Sequence, residues 1–153
     1  MPPSELHIIW LSEKQHISNN NYIIMNEYTH KVKYYECDRM GITHHSNYIR
    51  FMEEARVDML DRLGYGFERI EADGIVSPVV EVKCEYRKST TFQDEIRIEI
   101  NLKKVSALKF TFAYTGRCNG CVVFTGESTH CFMQNGRPVK VAERYPALFE
   151  MQL

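Results

Sequence analysis

The second half of the chain alternates apolar and polar residues with a period of two, and this alternation restricts the possible folds more than any other feature. In VVEVKCEYRK (79–88), valines, a cysteine and a tyrosine alternate with charged residues, and EIRIEINLK (95–103) repeats the pattern with isoleucine and leucine. The segments LKFTFAYTGRC (108–118) and CVVFTGESTHCFMQ (121–134) follow. Because successive side chains of a β-strand point to opposite faces, the pattern predicts strands with one covered face and one face toward solvent or a partner.

A single long helix is predicted ahead of these four strands. Apolar residues recur at three-to-four-residue spacing over residues 49–63, Ser46 or Asn47 can cap the start, and Gly64 provides a stop. A further strand is predicted before the helix, in the β-favouring segment YTHKVKYY (28–35). Short connections between consecutive strands indicate an antiparallel meander whose apolar face the helix covers, which is an α+β fold with a sheet of about five strands.

Length and composition indicate one soluble cytoplasmic domain. The chain has 153 residues, a formal net charge of −1 and five cysteines, and this charge balance argues against a broad nucleic-acid-binding surface. An odd number of cysteines at low density indicates reduced thiols in a cytoplasmic protein. No apolar run reaches the roughly 18 residues that a membrane-spanning helix needs. The segment LHIIWL (6–11) is too short, and lacks the preceding basic region, for a signal peptide.

The N-terminal residues 1–24 are predicted to be a peripheral extension. They include ISNNNY (17–22), which is typical of a polar turn or loop, and a regular pattern begins only from Met25 onward. We therefore expect one domain formed by residues 25–153, whose folding and activity survive removal of the first 24 residues.

The dipeptide Asn119-Gly120 lies between two cysteines in CNGC (118–121). Two thiols at this spacing can bind zinc or form a redox pair. Asn-Gly between two alternating strands is also a favoured type I′ hairpin turn, because both central residues must adopt positive φ. No second Cys-x-x-Cys or Cys/His pair lies nearby in the sequence. The hairpin is therefore the preferred interpretation, and no metal site is predicted.

The segment YYECDRMGITHHSNYIRFMEEAR (34–56) concentrates reactive side chains just before the helix. Cys37, Asp38, His44 and His45 are all metal-ligand types, but adjacent histidines of a loop generally point in different directions and no further ligand occurs at the usual spacing. Cys37 as a nucleophile needs an activating base held against it. Asp38 can be a turn residue or a distant cap. It can also act as nucleophile or general base beside a helix N-terminus, whose free N–H groups stabilise an oxyanion. The spacing leaves these roles of Asp38 open.

The same segment resembles the signature of the hotdog-fold acyl-CoA thioesterases of the 4-hydroxybenzoyl-CoA thioesterase-like family. That signature is an aromatic strand, Asp-x-x-Gly, a short hydrophobic step, His or Tyr, and then Asn-Tyr and a helix with Glu. The likeness extends over residues 25–141, and EYRKSTTFQDEIRIE (85–99) resembles the family's strand, turn and Asp-led next strand. The resemblance implies the hotdog fold, in which a curled antiparallel sheet wraps one long helix. It further implies hydrolysis of an acyl-CoA thioester to free acid and CoA, with no metal or redox cofactor.

The resemblance also implies roles for individual residues. Asp38 matches the catalytic carboxylate, acting as nucleophile or as general base on water. His45 matches the position whose backbone N–H, at the helix start, polarises the thioester carbonyl, and its imidazole is a candidate for orienting substrate or water. Gly41 matches the glycine that lets the backbone approach the thioester, and Tyr48 matches an aromatic wall of the substrate site.

Arg87 and Lys88 follow a predicted strand and are candidates for binding the phosphates of CoA, although a solvated strand end explains them equally well. Members of the family usually build their sites between subunits, so the resemblance implies a homodimer or homotetramer. An edge strand left open in a five-stranded sheet is suited to pairing with a second chain.

Two alternative functions stay open. The first is a non-catalytic acyl-thioester-binding sensor, which has no need of Asp38. The second is a thioesterase for acyl groups on acyl carrier protein, which needs a basic docking surface. A hotdog dehydratase fits less well, because the motif does not resemble the paired strand and helix residues of that chemistry.

Overall fold

The computed structural model describes residues 26–140 and 145–146. The predicted extension of residues 1–24 lies outside the described residues. No helix in the described part of the chain is long and apolar enough to cross a membrane. The described elements, in chain order, are β1 (Glu27–Lys31), a 3₁₀ turn (Tyr34–Glu36), α1 (Ser46–Arg62), α2 (Phe67–Ala72), β2 (Ile75–Val76), β3 (Val79–Tyr86), β4 (Glu95–Val105), β5 (Lys109–Cys118), β6 (Cys121–Cys131), β7 (Met133–Gln134) and β8 (Arg137–Pro138).

Five antiparallel strands form the main sheet, in the order β1-β4-β5-β6-β3. A smaller sheet has the order β2-β7-β8. Side chains alternate between the two faces of each strand, so the apolar residues of the period-two pattern form the buried face of the main sheet and the polar residues form the solvent-facing one. On β4 the buried residues are Ile96, Ile98, Ile100 and Leu102.

Helix α1 packs against the inner face of the main sheet. Its buried apolar side chains recur at helical spacing, share one core with β4, β5 and β6, and are Tyr48, Phe51, Met52, Ala55, Met59 and Leu60. Burying each large side chain of this set contributes about 1.5–3 kcal/mol relative to leaving it exposed. The helix comes close to β6 at Gly126, where an added Cβ would overlap the Met52 sulfur and lie 3.0 Å from the Lys83 carbonyl oxygen.

The predicted α+β architecture, with one long helix against five main strands, is confirmed. The meander is right for β4, β5 and β6 but wrong for β3, which pairs with β6 and forms the edge opposite β1. The connection at residues 87–94 crosses from one edge of the sheet toward the other, and Thr90 in this connection accepts a backbone hydrogen bond from Thr43 (2.8 Å). The connection 87–94 therefore runs past the start of α1, and the hydrogen bond between Thr43 and Thr90 fixes it there.

The first strand ends earlier than predicted. It stops at Lys31 rather than near residue 35, because the chain turns into the 3₁₀ element. The Glu36 side chain accepts the Lys33 backbone N–H over 2.7 Å and stabilises the turn.

The predicted C-terminal end of α1 is right, and the predicted N-terminal cap is not. Gly64 has φ +76° and ends the helix, as predicted. At the other end, His45 is the N-cap and its side chain makes no capping hydrogen bond, so the predicted capping role of Ser46 or Asn47 is wrong. The Asn47 amide instead donates to the Glu36 carbonyl oxygen over 2.9 Å. Helix α2 was not predicted.

Candidate active site

The segment between the 3₁₀ turn and α1 folds into a small antiparallel loop. Cys37 and Thr43 form an isolated β-bridge, and the Asp38 N–H donates to the Ile42 carbonyl oxygen over 2.9 Å. The Gly41 N–H donates to the Asp38 carbonyl oxygen over 3.0 Å and closes a tight turn. Gly41 has φ +74°, a conformation that costs other residues strain. The loop conformation therefore favours glycine at this position.

The Asp38 carboxylate is half-buried and oriented by its own turn. Its Oδ1 accepts the Met40 backbone N–H over 2.8 Å. No described residue donates a hydrogen bond to its Oδ2. One oxygen is thus fixed while the other is available to a water molecule or a reacting carbonyl carbon.

The start of α1 presents a backbone donor. His45 adopts helical dihedral angles (φ −53°, ψ −32°), and no described residue accepts a hydrogen bond from its N–H. The helix that follows has 17 residues, so its peptide dipoles place partial positive charge at this end. The Tyr86 hydroxyl donates to the His45 carbonyl oxygen over 3.0 Å. The arrangement can stabilise negative charge on a carbonyl oxygen.

The two histidine rings at the helix start differ in their partners. The His44 and His45 ring centroids are 4.1 Å apart, and His44 Nδ1 lies 2.8 Å from the Ser46 hydroxyl oxygen. The His45 ring is exposed and also makes an edge contact with the Tyr86 ring, with centroids 6.3 Å apart. Sequence reasoning treated His44 as a metal-ligand type only and missed its contact with Ser46.

A buried hydroxyl cluster supports the loop from inside. Thr90 Oγ1 lies 2.7 Å from Thr43 Oγ1 and 3.0 Å from the Tyr48 hydroxyl, and all three residues are buried. Burial raises the pKa of Tyr48, which keeps its hydroxyl neutral. The cluster ties the crossing connection to the loop and to the first turn of α1. Sequence reasoning missed Thr43 and Thr90, because they are far apart in the chain and nothing local to either segment indicates that the two hydroxyls meet.

The predicted site residues fall into two groups. Asp38, Gly41 and His45 share the loop at the helix start. Tyr48 is only 3% exposed, so in this chain its side chain lies behind that loop in the core.

Arg87 and Lys88 lie apart from the loop, exposed at the end of β3. Both backbone N–H groups donate to the Val123 carbonyl oxygen (2.8 and 3.1 Å). The Arg87 guanidinium pairs with Glu85, and Lys88 Nζ lies 3.8 Å from the Cys121 sulfur. The predicted roles of these two residues in binding CoA, like those of Asp38, Gly41, His45 and Tyr48, stay predictions.

Two of the five cysteines flank the predicted hairpin turn. Cys118 and Cys121 pair across the predicted hairpin turn, whose central residues Asn119 and Gly120 have φ of 50° and 77°. All five cysteines are free thiols, and burial raises the pKa of Cys118, which disfavours its thiolate. Among the described residues, no group of three or more His, Cys, Asp or Glu side chains is placed to hold a metal ion.

The sequence profile of the thioesterase-like superfamily matches residues 32–148. The crystal structure of a hypothetical protein from Aquifex aeolicus superposes with a TM-score of 0.77 at 31% identity, covering 80% of this chain and 97% of that one. A DHNA-CoA thioesterase from Staphylococcus aureus superposes with a TM-score of 0.75 at 26% identity, covering 82% and 87%. The acyl-CoA thioester hydrolase YbgC of Escherichia coli is 29% identical over 83 residues, which are 53% of this chain and 62% of YbgC.

Fold and sequence together define a thioester hydrolase with the hotdog fold, which confirms the predicted fold and class of enzyme. The chain belongs to the thioesterase-like superfamily.

Proposed function

We propose that this chain hydrolyses acyl-CoA thioesters, with Asp38 as the catalytic carboxylate and the His45 backbone N–H as the donor that polarises the thioester carbonyl. One observation carries the proposal. A carboxylate oxygen of Asp38 and the backbone N–H of His45, neither of which has a hydrogen-bond partner among the described residues, belong to the same short, hydrogen-bonded loop at the start of a 17-residue helix. The relatives named above as acyl-CoA and DHNA-CoA hydrolases support the choice of substrate class.

Asp38 can promote hydrolysis of the thioester in two ways. As a nucleophile, its oxygen attacks the thioester carbon and expels CoA thiolate, and water then hydrolyses the resulting anhydride. As a general base, it takes a proton from water while the hydroxide attacks the same carbon. In both routes water supplies the oxygen of the free acid, and a proton ends on the thiol of CoA.

The His45 N–H acts on the oxygen of the same carbonyl. Charge on this oxygen grows as the tetrahedral intermediate forms, and a fixed N–H at a helix N-terminus stabilises that charge more than it stabilises the neutral ground state. Donors of this kind contribute about 10²–10³-fold to kcat in acyl-transfer enzymes. Gly41 adds no Cβ beside the turn, so substrate can reach the backbone there.

The proposed CoA contacts lie at the end of β3. Arg87 and Lys88 are exposed cations there, and β3 is joined to the helix start by the Tyr86–His45 hydrogen bond. Phosphates bound by Arg87 and Lys88 would bring the pantetheine arm toward His45. The Arg87 guanidinium must exchange its Glu85 partner for phosphate in this scheme.

The proposed assembly is a homodimer, or a homotetramer formed from two such dimers, joined through β3. This strand is an edge of the main sheet, and Val79, Val80 and Tyr86 on it are 45%, 48% and 49% exposed. An edge with unpaired backbone groups and exposed apolar residues is suited to pairing with a second copy. Sedimentation of the active enzyme as a monomer at its assay concentration would contradict this assembly.

The test is release of CoA thiol from short, long and aromatic acyl-CoAs by the wild type and by Asp38→Asn. The asparagine keeps an oxygen for the Met40 N–H, so we expect the variant to fold and to lose nearly all activity. Asp61→Asn, at the exposed opposite end of α1, is the matched control and should retain full activity. Comparable rates for wild type and Asp38→Asn would remove Asp38 from the chemistry. Tight acyl-CoA binding without any hydrolysis by the wild type would indicate a sensor instead.

A further inference from the structure

A buried histidine of β1 contacts two glutamates. His30 is 5% exposed, and its ring stacks on Phe51 of α1 with centroids 3.9 Å apart. Its Nε2 lies 2.9 Å from Glu36 Oε2, and its Nδ1 lies 2.8 Å from Glu54 Oε2. A single side chain thus joins the first strand, the 3₁₀ turn before Asp38, and the long helix.

The two contacts have a definite hydrogen-bonding requirement. Ionised carboxylates only accept hydrogen bonds, so both contacts are hydrogen bonds when both ring nitrogens of His30 carry protons. The Tyr28 hydroxyl donates to the same Glu54 oxygen over 2.8 Å. Burial, and then Glu54, raises the pKa of Tyr28 to about 12, which keeps this hydroxyl a donor. Glu36 is buried and Glu54 is partly exposed, so the need for hydrogen-bond donors is greater at Glu36.

Glu36 transmits the contact to the candidate active site. Its side chain accepts from the Lys33 N–H and faces His30, and its peptide carbonyl accepts the His44 N–H over 2.8 Å and the Asn47 amide over 2.9 Å. Glu36 lies two residues before Asp38, and His44 immediately precedes His45. A displacement of Glu36 would therefore move both the carboxylate and the backbone donor.

We propose that His30 is a positioning residue for the thioester hydrolysis proposed above, on which this inference rests, and that it acts through its Nε2 contact with Glu36. The His30 ring fixes the Glu36 side chain. The Glu36 peptide carbonyl in turn fixes both sides of the loop of residues 37–45, because it accepts hydrogen bonds from His44 and Asn47. The Nδ1 contact with Glu54 orients the ring. Because the His30 ring is buried, it acts on the catalytic groups through Glu36 and not by contact with substrate, so its loss lowers kcat and leaves KM for acyl-CoA nearly unchanged.

Two amide variants separate the two contacts. His30→Gln places an amide N–H where Nε2 lies and keeps the bond to Glu36. His30→Asn places its amide at the position of Nδ1 and keeps only the contact with Glu54. Both remove the ring that stacks on Phe51, and asparagine also lacks one methylene, so kcat is compared per folded molecule. We expect kcat of His30→Gln to stay within about threefold of wild type and kcat of His30→Asn to fall by about tenfold or more, since misplaced catalytic groups cost up to about 10²-fold.

A second pair of variants covers the case in which the histidine variants do not fold. Glu36→Gln keeps an oxygen that can accept from both Lys33 and His30, whereas Glu36→Leu removes the acceptor. We expect Glu36→Gln to keep most of the wild-type kcat and Glu36→Leu to lose it as His30→Asn does. Equal kcat values for the two members of either pair, per folded molecule, would overturn the proposal.

Amide hydrogen exchange tests the inference without turnover. The N–H groups of Asp38 and His44 are hydrogen-bonded in the wild-type loop. We expect their exchange to accelerate in His30→Asn and Glu36→Leu, but not in His30→Gln or Glu36→Gln. Unchanged exchange in all four variants would overturn the positioning role even if the enzyme is active. Absence of wild-type hydrolysis with the expected exchange pattern would instead refute the proposed function and leave the loop contact established.

Discussion

The Tyr86 hydroxyl donates a hydrogen bond to the backbone carbonyl of His45 over 3.0 Å. The bond joins the last residue of the edge strand β3 to the N-cap of α1, which is the residue whose N–H is the proposed oxyanion donor. Burial raises the pKa of Tyr86, so the hydroxyl is protonated and able to donate at neutral pH. A shift of β3, including one that accompanies pairing with a second chain, would therefore displace the His45 peptide through this hydrogen bond.

Replacing Tyr86 with Phe should lower kcat while the chain remains folded. The lost hydrogen bond is worth about 0.5–1.5 kcal/mol, which corresponds to a roughly two- to tenfold lower kcat if it acts entirely in the transition state. Tyr65→Phe, near the opposite end of α1, is the matched control. Steady-state kinetics on the best acyl-CoA of the panel provides the measurement, and an unchanged kcat for Tyr86→Phe would show that the bond does not position His45.

Replacing Thr90 with Val should destabilise the fold. Valine has nearly the same shape, but it removes the oxygen that bonds Thr43 and Tyr48 in a buried cluster. Buried hydroxyls that lose a partner cost about 1–3 kcal/mol in the free energy of unfolding. Urea denaturation measures the change, and Thr115→Val on the outer face of the sheet should have little effect. A loss for Thr90→Val no larger than for Thr115→Val would contradict the role of the cluster.

Replacing Gly126 with Ala should destabilise the packing of α1 on β6. The added Cβ would overlap the Met52 sulfur and press on the Lys83 carbonyl oxygen. Overpacking of this kind costs about 1–3 kcal/mol of unfolding free energy. The double variant with Met52→Ala should recover part of that cost beyond additivity, because the two side chains share one space. Thermal or urea unfolding of all four proteins in the cycle tests this, and strict additivity would locate the strain elsewhere.

His130 should make stability fall as the pH drops below neutral. Burial, and then the positive charge of Arg56, lowers the pKa of His130 from 6.5 to about 3, so the folded state keeps the ring neutral where the unfolded chain protonates it. The unfolded state therefore binds more protons between pH 6.5 and about 3. This group adds up to about 1.4 kcal/mol of instability for each pH unit lowered through that window.

The measurement for His130 is the free energy of unfolding between pH 7 and 4, for the wild type and His130→Gln. The glutamine can still accept a hydrogen bond from the Ser128 hydroxyl, which lies 2.6 Å from His130 Nε2. We expect a shallower pH dependence in the variant at lower overall stability. Parallel curves would show that another group titrates in this range.

Several elements were predictable because their signals are local. The alternation in residues 95–103 predicts a strand with one buried face, and the Asn119-Gly120 dipeptide predicts a type I′ turn with positive φ at both positions. The hydrophobic spacing over 49–63 predicts α1, and Gly64 predicts its end. These signals depend on side-chain periodicity and on the backbone freedom of single residues, which need no knowledge of distant contacts.

The sites that were not predictable depend on contacts between segments far apart in the chain. Thr90 bonds Tyr48 across 42 positions, and His30 meets Glu54 across 24. The local patterns around Thr90 and His30 indicate only turn and strand, and they do not show which distant side chains these two residues contact. The placement of β3 at the edge opposite β1 is of the same kind, because it depends on where the crossing connection runs.

By itself, the sequence determined the main strands, the long helix α1 and the hairpin at CNGC, since propensity, periodicity and turn requirements act over a few residues. The tertiary structure decided the order of the strands and the burial of Tyr48. It also decided which side chains hold the loop at the start of α1. These features follow from burying apolar surface while satisfying every buried polar group, and that balance is settled only when all segments of the chain pack together.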